Sequence, residues 1–503
     1  MGTGISTINS LGLAGMQTAQ TGMANVATNV SGASVDGFHR REVHPQMSSA
    51  STNPLVQGGT VIIDSVMRSY SSLLSMQYLT NHGKVKQAST LNIAAEVVDK
   101  MLVDESTGLT DVFNGFFTAA SDLSADPASG TARSAFSTTS KELTDRIRSL
   151  AATIEETRRQ SLVQMIGVVD AVNEKADALA RVNQLIQASS AYGKPLPSAD
   201  LLDERDRLTG QLVDLTGATV ETTDSGQAIL RFDGLSLVEG NQAARLKPQF
   251  DRGSGSQAPL PSGLINVYLP RGEGSRNEGQ AGLIATLGGS IVGGQFGGLM
   301  RYAEGTENWL KSLDIMALSL VDFGKPKDAD QNDQSWFTKS VDGGGTLKPF
   351  EGMFVAEDGG YDVEKWQSGG ELVVLTRTER PSLTLTSTMI SGNDVPWSQS
   401  ELITSPVDQS FVIEVSGGRS SRMREWSDWV ARVSSDLSKW RAEESSFTAV
   451  HQALEVQVQQ ISGVDLDQEA TDLLKFQQIY QANSAVIQAA MRMFDTLISA
   501  TGR

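Results

Sequence analysis

The sequence predicts a multidomain α+β protein in which the two chain ends form long antiparallel helices of coiled-coil type, with β-rich outer domains inserted between them. Three observations predict this. From Leu466 to Ile498 apolar residues recur at a 3.5-residue spacing with no proline and no glycine. From Thr131 to Ser190 there is no proline and one glycine, Gly167. From Ala218 the apolar period drops toward two and glycine-bearing turns appear.

The N-terminal residues 2–35 carry no charge and keep a seven-residue register through Ile5, Asn9, Gly12, Met16, Ala19, Met23, Val26 and Val30. Glycine weakens an isolated helix but permits close backbone approach, so a helix here needs neighbours. The alternative is an unstructured tail. Gly37 marks a turn into an extended stretch, and residues 44–70 read as irregular with a short strand at Gly59–Val66.

Helical periodicity follows through Leu73, Leu74 and Tyr78, breaks near Gly83, and resumes through Leu91, Ala94, Val98 and Leu102. Phe113, Phe116 and Phe117 form an aromatic patch on a helix ending near Asp126-Pro127. The proline-free run then carries Leu143, Ile147, Leu150 and Ile154 in one register and Leu162, Met165, Val169, Val172, Ala176, Leu179 and Ile186 in another. At about 1.5 Å per residue its stretch from Lys141 to Ser189 spans roughly 70 Å. Asp200–Leu215 begins a further amphipathic helix.

Residues 218 to about 269 read as β-rich, with turns at Asp224–Gly226 and Asp233-Gly234. After a glycine-rich passage, residues 299–324 return to helix. Residues 325–425 favour short strands, including Glu371–Thr378, Ser382–Met389 and Phe411–Gly418. A last helix starts near Glu425 and carries Trp426, Trp429, Val433, Leu437 and Trp440. The closing helix keeps Leu466, Ala470, Leu473, Gln477, Tyr480, Ser484, Ile487, Met491, Phe494 and Ile498 on one seam, with Asp465 and Gln468 as an N-cap box and Gly502 as its stop. The expected domains are 1–65 with 460–503, a terminal coiled coil; 66–217 with 291–323 and 424–459, a long-helix bundle; 218–290, β-rich; and 324–423, a second β-rich insertion.

Composition bounds the function. A chain of 503 residues exceeds one hydrophobic core. The formal charge of -18 argues against a nucleic-acid partner, which draws on clustered Lys and Arg. The absence of cysteine excludes disulfides and thiolate metal sites. The first charged residue is Asp36, so no basic export leader is expected. Leu283–Met300 is uncharged, but six of its eighteen residues are glycine, so no membrane association is expected.

Catalytic chemistry finds little support. The four histidines, His39, His44, His82 and His451, show no ligand spacing, and His39 reads as lying in a polar loop without acidic partners. Gly288–Gly298 lacks the Gly-Lys-Ser/Thr ending of a phosphate cradle. Asp322–Gly324 echoes a kinase metal motif without its catalytic loop. Asp328, Asp330 and Asn332 start a calcium-loop pattern that fails at Asp333 and Lys339. The cluster from Asp203 to Arg207 reads as a solvated helical face with Asp203 and Arg207 paired at i,i+4. No enzyme, metal or cofactor is expected.

Two segments resemble the bacterial flagellar axial proteins. Thr28–Val43 is similar to their N-terminal motif at Asn29, Val30, Gly37, Phe38 and Arg40, and departs from it at Thr28, Gly32 and Asp36. Phe476–Ile498 is similar to their C-terminal motif, including Phe476, Gln477, Tyr480, Gln481, Ala482 and Asn483. Asp200–Leu215, with Asp203, Arg205 and Asp206, resembles a segment of the hook–filament junction members, and Phe113–Phe136 and Gly293–Tyr302 look familial.

The resemblance implies paired terminal helices that build an inner tube, helical and β-rich domains outside it, and export through the flagellar type III apparatus without a cleaved signal. It implies a structural subunit joining hook to filament. The implied assembly seam is Ile5, Met16, Met23, Val26, Val30, Leu466, Leu473, Tyr480, Ile487, Met491, Phe494 and Ile498. The implied partners are further copies of the chain in a ring, the hook protein, the second hook–filament junction protein, and an export chaperone that covers Leu473, Tyr480, Ile487 and Phe494. A hook or rod axial protein, or an adhesive module carried by residues 325–425, is the alternative. The terminal seams are sparse for helices of such length, so both ends are expected to fold on assembly.

Overall fold

The computed structural model describes residues 2–35, 37–48, 60–103, 109–126, 129–191, 197–232, 234–250, 261–268, 283–287, 293–323, 340–341, 347–348, 354–355, 380–387 and 407–501. These are mostly helical, with small antiparallel sheets. In chain order the elements are α1 (Gly2–Gly32), β1 (Arg41–Ser48), β2 (Thr60–Arg68), α2 (Ser72–Val103), α3 (Leu109–Ala125), α4 (Gly130–Ala191) and α5 (Ala199–Thr216). There follow β3 (Thr219–Thr222), β4 (Ala228–Phe232), β5 (Leu235–Glu239), β6 (Gln242–Ala243), β7 (Arg245–Phe250), β8 (Pro261–Tyr268), β9 (Leu283–Leu287) and α6 (Gly294–Phe323). The last are β10 (Ser340–Val341), β11 (Leu347–Lys348), β12 (Phe354–Val355), α7 (Pro381–Thr384), β13 (Thr386–Ser387), α8 (Val407–Ser462) and α9 (Leu466–Thr501).

The chain divides into two compact units: Met1–Gly83, Asn173–Ala244 and Phe447–Arg503 in the first, Lys84–Val172 and Arg245–Ser446 in the second. The strands of residues 219–287 make two sheets, β3-β4-β5-β6 in the first unit and β7-β8-β9 in the second.

The second unit has the dense core. Leu143, Ile147, Leu150 and Ile154 of α4 are buried in the register expected of them, as are Phe113, Phe116 and Phe117 of α3. Trp426, Trp429, Val433, Leu437 and Trp440 form the buried stripe of α8. Buried indole N–H groups need acceptors, and each of three has one. Trp429 donates to the Trp309 carbonyl at 3.0 Å, Trp309 to Asp436 at 2.9 Å, and Trp426 to the Thr110 hydroxyl at 2.9 Å. An ion cluster lies beside this core: Arg380 is 1% exposed and donates to Glu307 at 2.5 Å and Asp314 at 3.1 Å. Asp314 also accepts from the Ser382 amide and hydroxyl, which fixes the start of α7.

Several local expectations change. α2 runs through Gly83 without a break, because a Cβ there would lie 3.0 Å from the Gly217 Cα; the glycine serves close packing against the end of α5. Pro45 is accommodated within β1 at a bulge, so the expected irregular stretch contains a hairpin running to Arg68. Phe411–Gly418 lies inside α8, which starts at Val407 rather than near Glu425: extending a helix requires no new nucleus, and this outweighs β-branched preference. Ser382–Met389 gives α7 and the two-residue β13, because Pro381 suits a helix start and Asp314 holds Ser382. The expected strand Glu371–Thr378, the calcium-like Asp328 to Lys339 and the stop at Gly502 lie outside the described residues. Leu283–Met300 is split between β9 and the start of α6. No described helix is long and apolar enough to cross a membrane.

Candidate assembly site

The first unit joins the two chain ends. α1 and α9 run antiparallel: Gly12 meets Ile487, Gly15 meets Asn483, Gly22 meets Phe476 and Asn29 meets Glu469. The glycines act as holes. A methyl at Gly12 would come within 2.7 Å of Ile487 Cγ1, and one at Gly15 or Gly22 would overlap the side chain of Asn483 or Phe476.

This pairing shifts the seam from the apolar stripe read in the sequence. On α1 the buried positions include Gly12, Ala19 and Val26, which belong to the expected register, and Gly22 and Asn29, which do not. Met16 and Met23 are half-buried and Val30 is exposed. On α9, Leu473, Tyr480 and Ile487 are half-buried, and they alternate with Glu469, Phe476, Asn483 and Ala490. The other expected residues face outward: Leu466 is 57% exposed, Met491 56% and Phe494 50%. The side chains of Ile5 and Ile498 lie outside the described residues. Both registers have a 3.5 spacing; apolarity alone selects the wrong one because glycine, asparagine and glutamate occupy the inner positions.

α9 is capped as its sequence implies. Asp465 Oδ1 accepts from the amides of Asp467 at 2.9 Å and Gln468 at 3.3 Å.

Two polar clusters sit beside the helix pair. In the first, Glu469 is 1% exposed and its Oε1 accepts from Arg40 Nε at 2.8 Å and Asn29 Nδ2 at 3.1 Å. Arg40 also reaches Asp472 at 3.4 Å, and its amide donates to the Ser462 carbonyl at 2.9 Å. Asn29 Oδ1 accepts from the Arg41 amide at 2.9 Å. Asn29 and Arg40, marked by the family resemblance, thus meet a buried carboxylate. Sequence reasoning missed Glu469 itself; a charge at an inner heptad position was the available signal.

The second cluster centres on Asp203 of α5. It accepts from Arg68 at 2.8 Å, Arg41 at 3.0 Å and His39 at 3.3 Å, while Asp206 accepts from Arg68 at 2.6 Å and Arg205 at 2.7 Å. Arg205, 3% exposed, also donates to the Gly226 carbonyl at 2.5 Å. Burial works against ionisation of Asp203, but His39, Arg68 and Arg41 outweigh it and hold its carboxyl below the usual range. The solvated-face reading of Asp203–Arg207 is therefore corrected: Asp203 faces three cationic or imidazole groups on other elements, and Arg207 pairs with Glu204 at 2.8 Å. His39 likewise has an acidic neighbour. Gly37 turns the chain at φ 79°, where a Cβ would lie 3.2 Å from the Arg207 Cβ, and Phe38 lies under the Arg41 guanidinium at 5.1 Å. Of the remaining motif residues, Gln477, Gln481 and Ala482 are exposed.

A third cluster had no sequence signal, since its members are far apart in the chain. His82 Nε2 lies 2.5 Å from Asp214, and His82 Nδ1 lies 3.2 Å from His451 Nε2. Among the described residues no three His, Asp or Glu side chains form a metal-holding group.

Glycine holes, paired helices and buried ion pairs hold the two ends of one chain against each other, which is the work of structural contacts. The family description "Flagellar hook-associated protein FlgK helical domain" matches residues 95–323, and "Flagellar basal body rod FlgEFG protein C-terminal" matches residues 457–500. The chain is 24% identical to flagellar hook-associated protein 1 of Escherichia coli (strain K12), over 98% of this chain and 100% of that one. It is 23% identical to that of Salmonella typhimurium over 98% and 100%, and 21% identical to that of Bacillus subtilis over 96% and 96%. A solved structure, the flagellar hook junction protein FlgK from Burkholderia pseudomallei, is 18% identical with a TM-score of 0.44, covering 56% of this chain and 47% of that one. Over nearly its whole length the chain is similar to flagellar hook-associated protein 1. Its role is structural rather than enzymatic, in the flagellum and in motility.

Proposed function

We propose that the chain is the junction subunit that joins hook to filament, polymerising as a ring through its terminal helices at the extracellular flagellum after export without a cleaved signal. The observation that carries this reading is the α1–α9 pair: it uses one face of α9 for α1 and leaves Leu466, Leu474, Met491 and Phe494 outward, an apolar surface suited to neighbouring subunits. The pair is the coiled coil of the inner tube in this reading, and residues 66–217, 218–290 and 324–423 serve as the helical and inserted β-rich outer domains. The neighbours are copies of the chain, the hook protein and the second hook–filament junction protein.

The test is a strain lacking this chain. Complete hooks with flagellin secreted as monomers support the junction role. Loss of the hook itself supports a hook or rod protein, a reading favoured by the match of residues 457–500 to the rod-protein C-terminal description.

An export chaperone fits the same helix at an earlier stage. Leu473, Tyr480 and Ile487 face α1 once the chain folds, so a helix-in-groove partner reaches them only before pairing. Chaperone affinity left unaltered by the double change Tyr480→Ala and Ile487→Ala would count against it. Ordering of residues 1–40 and 465–503 on assembly is part of this proposal; slow amide exchange at both ends of a dilute monomer would overturn it.

A further inference from the structure

Between α1 and α9, on the open side of the pair, lies an apolar groove of about 580 Å³. Gly12 and Gly15 line it together with Ile8, Phe476 and Ile479, and Lys475 stands beside them. Lys475 is exposed and its side chain makes no hydrogen bond or ion pair among the described residues. Further along α9, Met491, Phe494 and Asp495 share a face, being spaced i, i+3 and i+4. Met491 and Phe494 are half or more exposed, and the exposed Asp495 side chain is likewise unpaired among the described residues.

The groove and this projecting face are complementary: a cation beside an apolar hollow, an anion beside an aromatic side chain. They cannot meet within one chain, because Lys475 and Asp495 stand about 30 Å apart along one helix. We propose that the groove receives the Met491–Phe494–Asp495 face of a second copy, with Phe494 in the hollow between Ile8 and Ile479 and Asp495 paired with Lys475. This rests on the reading of the chain as a self-assembling subunit and names one contact through which it assembles. The two surfaces are different patches at different heights on the pair, so the contact is heterologous. Each copy then offers a free groove and a free knob, and the contact propagates head to tail instead of closing as a two-fold dimer.

The chain has no cysteine, which makes the test direct. The full chain carrying both Lys475→Cys and Asp495→Cys cannot be bridged internally by a short bismaleimide, since the two positions stand about 30 Å apart along one helix. Such a reagent spans the Cα separation of a Lys–Asp pair, which is too wide for a disulfide. Flagella sheared from cells whose only copy is this double variant are treated with the bismaleimide and run on a denaturing gel. A ladder of dimers and longer oligomers is expected, with neither single variant giving one. A chain present in the flagella but running only as monomer overturns the contact and leaves the assembly reading standing. Dimers from Lys475→Cys alone overturn the head-to-tail arrangement. Absence of the unsubstituted chain from sheared flagella overturns the assembly reading and the contact with it.

Discussion

Arg40 donates its Nε–H to Glu469 at 2.8 Å, tying the turn after α1 to the first turn of α9 across more than four hundred residues. The carboxylate is buried, and removing one partner of a buried pair leaves the other uncompensated. Arg40 keeps Asp472, so Glu469→Leu should destabilise the first unit by about 3 kcal/mol, at the lower end for a buried pair. Amide exchange in α1 of the variant within assembled flagella, where the ends are ordered, measures the loss.

Glycine substitutions should divide by position. Gly22→Leu drives into the Phe476 ring and should cost roughly 1–3 kcal/mol by overpacking. Gly167, in the middle of α4, has open space where a methyl would stand, with no atom within 4 Å, so Gly167→Ala should stabilise by up to about 1 kcal/mol through helix propensity. The melting temperature should rise for Gly167→Ala in the free chain and fall for Gly22→Leu in assembled flagella, where α1 and α9 are paired.

Asp203 carries a pH dependence. Its carboxyl titrates lower in the folded chain than in the unfolded one, so its contribution is fully present above the ordinary aspartate value of about 3.9 and is lost as pH falls through the folded value. Stability measured from pH 7 down to pH 2 should fall on the acid side of about pH 4. Asp203→Asn should flatten that fall and cost about 1.5–3 kcal/mol at neutral pH, the range for hydrogen bonds to a charged group.

Tyr302 marks the alkaline side. Burial pushes its phenol up to about 12, against the opposing hydrogen bond to Thr157 at 2.8 Å. Because the folded value is raised, its contribution holds below the ordinary tyrosine value of about 10 and is lost as pH climbs toward 12. Ultraviolet titration should show one of the seven tyrosines ionising late, and Tyr302→Phe should remove that step at a cost of about 1 kcal/mol.

Arg380 should matter more than any exposed arginine. Arg380→Met removes the closest cation from Glu307 and Asp314, both buried, leaving Arg158 and Lys311 at 3.8 and 3.9 Å from Glu307, and should destabilise the second unit by about 3 kcal/mol. The nearby Trp309 and its companions supply the fluorescence signal. Asp314→Asn should be milder, because an amide oxygen can still accept from Ser382.

The parts of this fold that follow from periodicity were legible in the sequence: the α4 registers, the tryptophan stripe of α8, and the Asp465 cap. The terminal helices were legible as helices and their pairing was expected, but the residues at the centre of the seam were not. Their inner positions are filled by Gly15, Gly22, Asn29, Glu469 and Asn483, residues that a hydrophobic pattern scores as outward. Shape and hydrogen bonding decide that seam, and both require knowing the partner. The Asp203 cluster hid for a related reason. Its acids are adjacent in sequence, but the groups that neutralise them, His39, Arg41 and Arg68, arrive from a hairpin more than a hundred residues earlier.

The antiparallel pairing of α1 with α9 also bears on synthesis. α1 leaves the ribosome long before α9, and Asn29 finds Glu469 only after 440 further residues have been made. Closing so long a loop adds little entropy beyond a shorter one, since the cost grows only logarithmically with length. A chain truncated anywhere before α9 nevertheless keeps α1 without its mate, with Gly15 and Gly22 as empty notches. The pair thus makes the burial of α1 depend on a segment synthesised more than four hundred residues later.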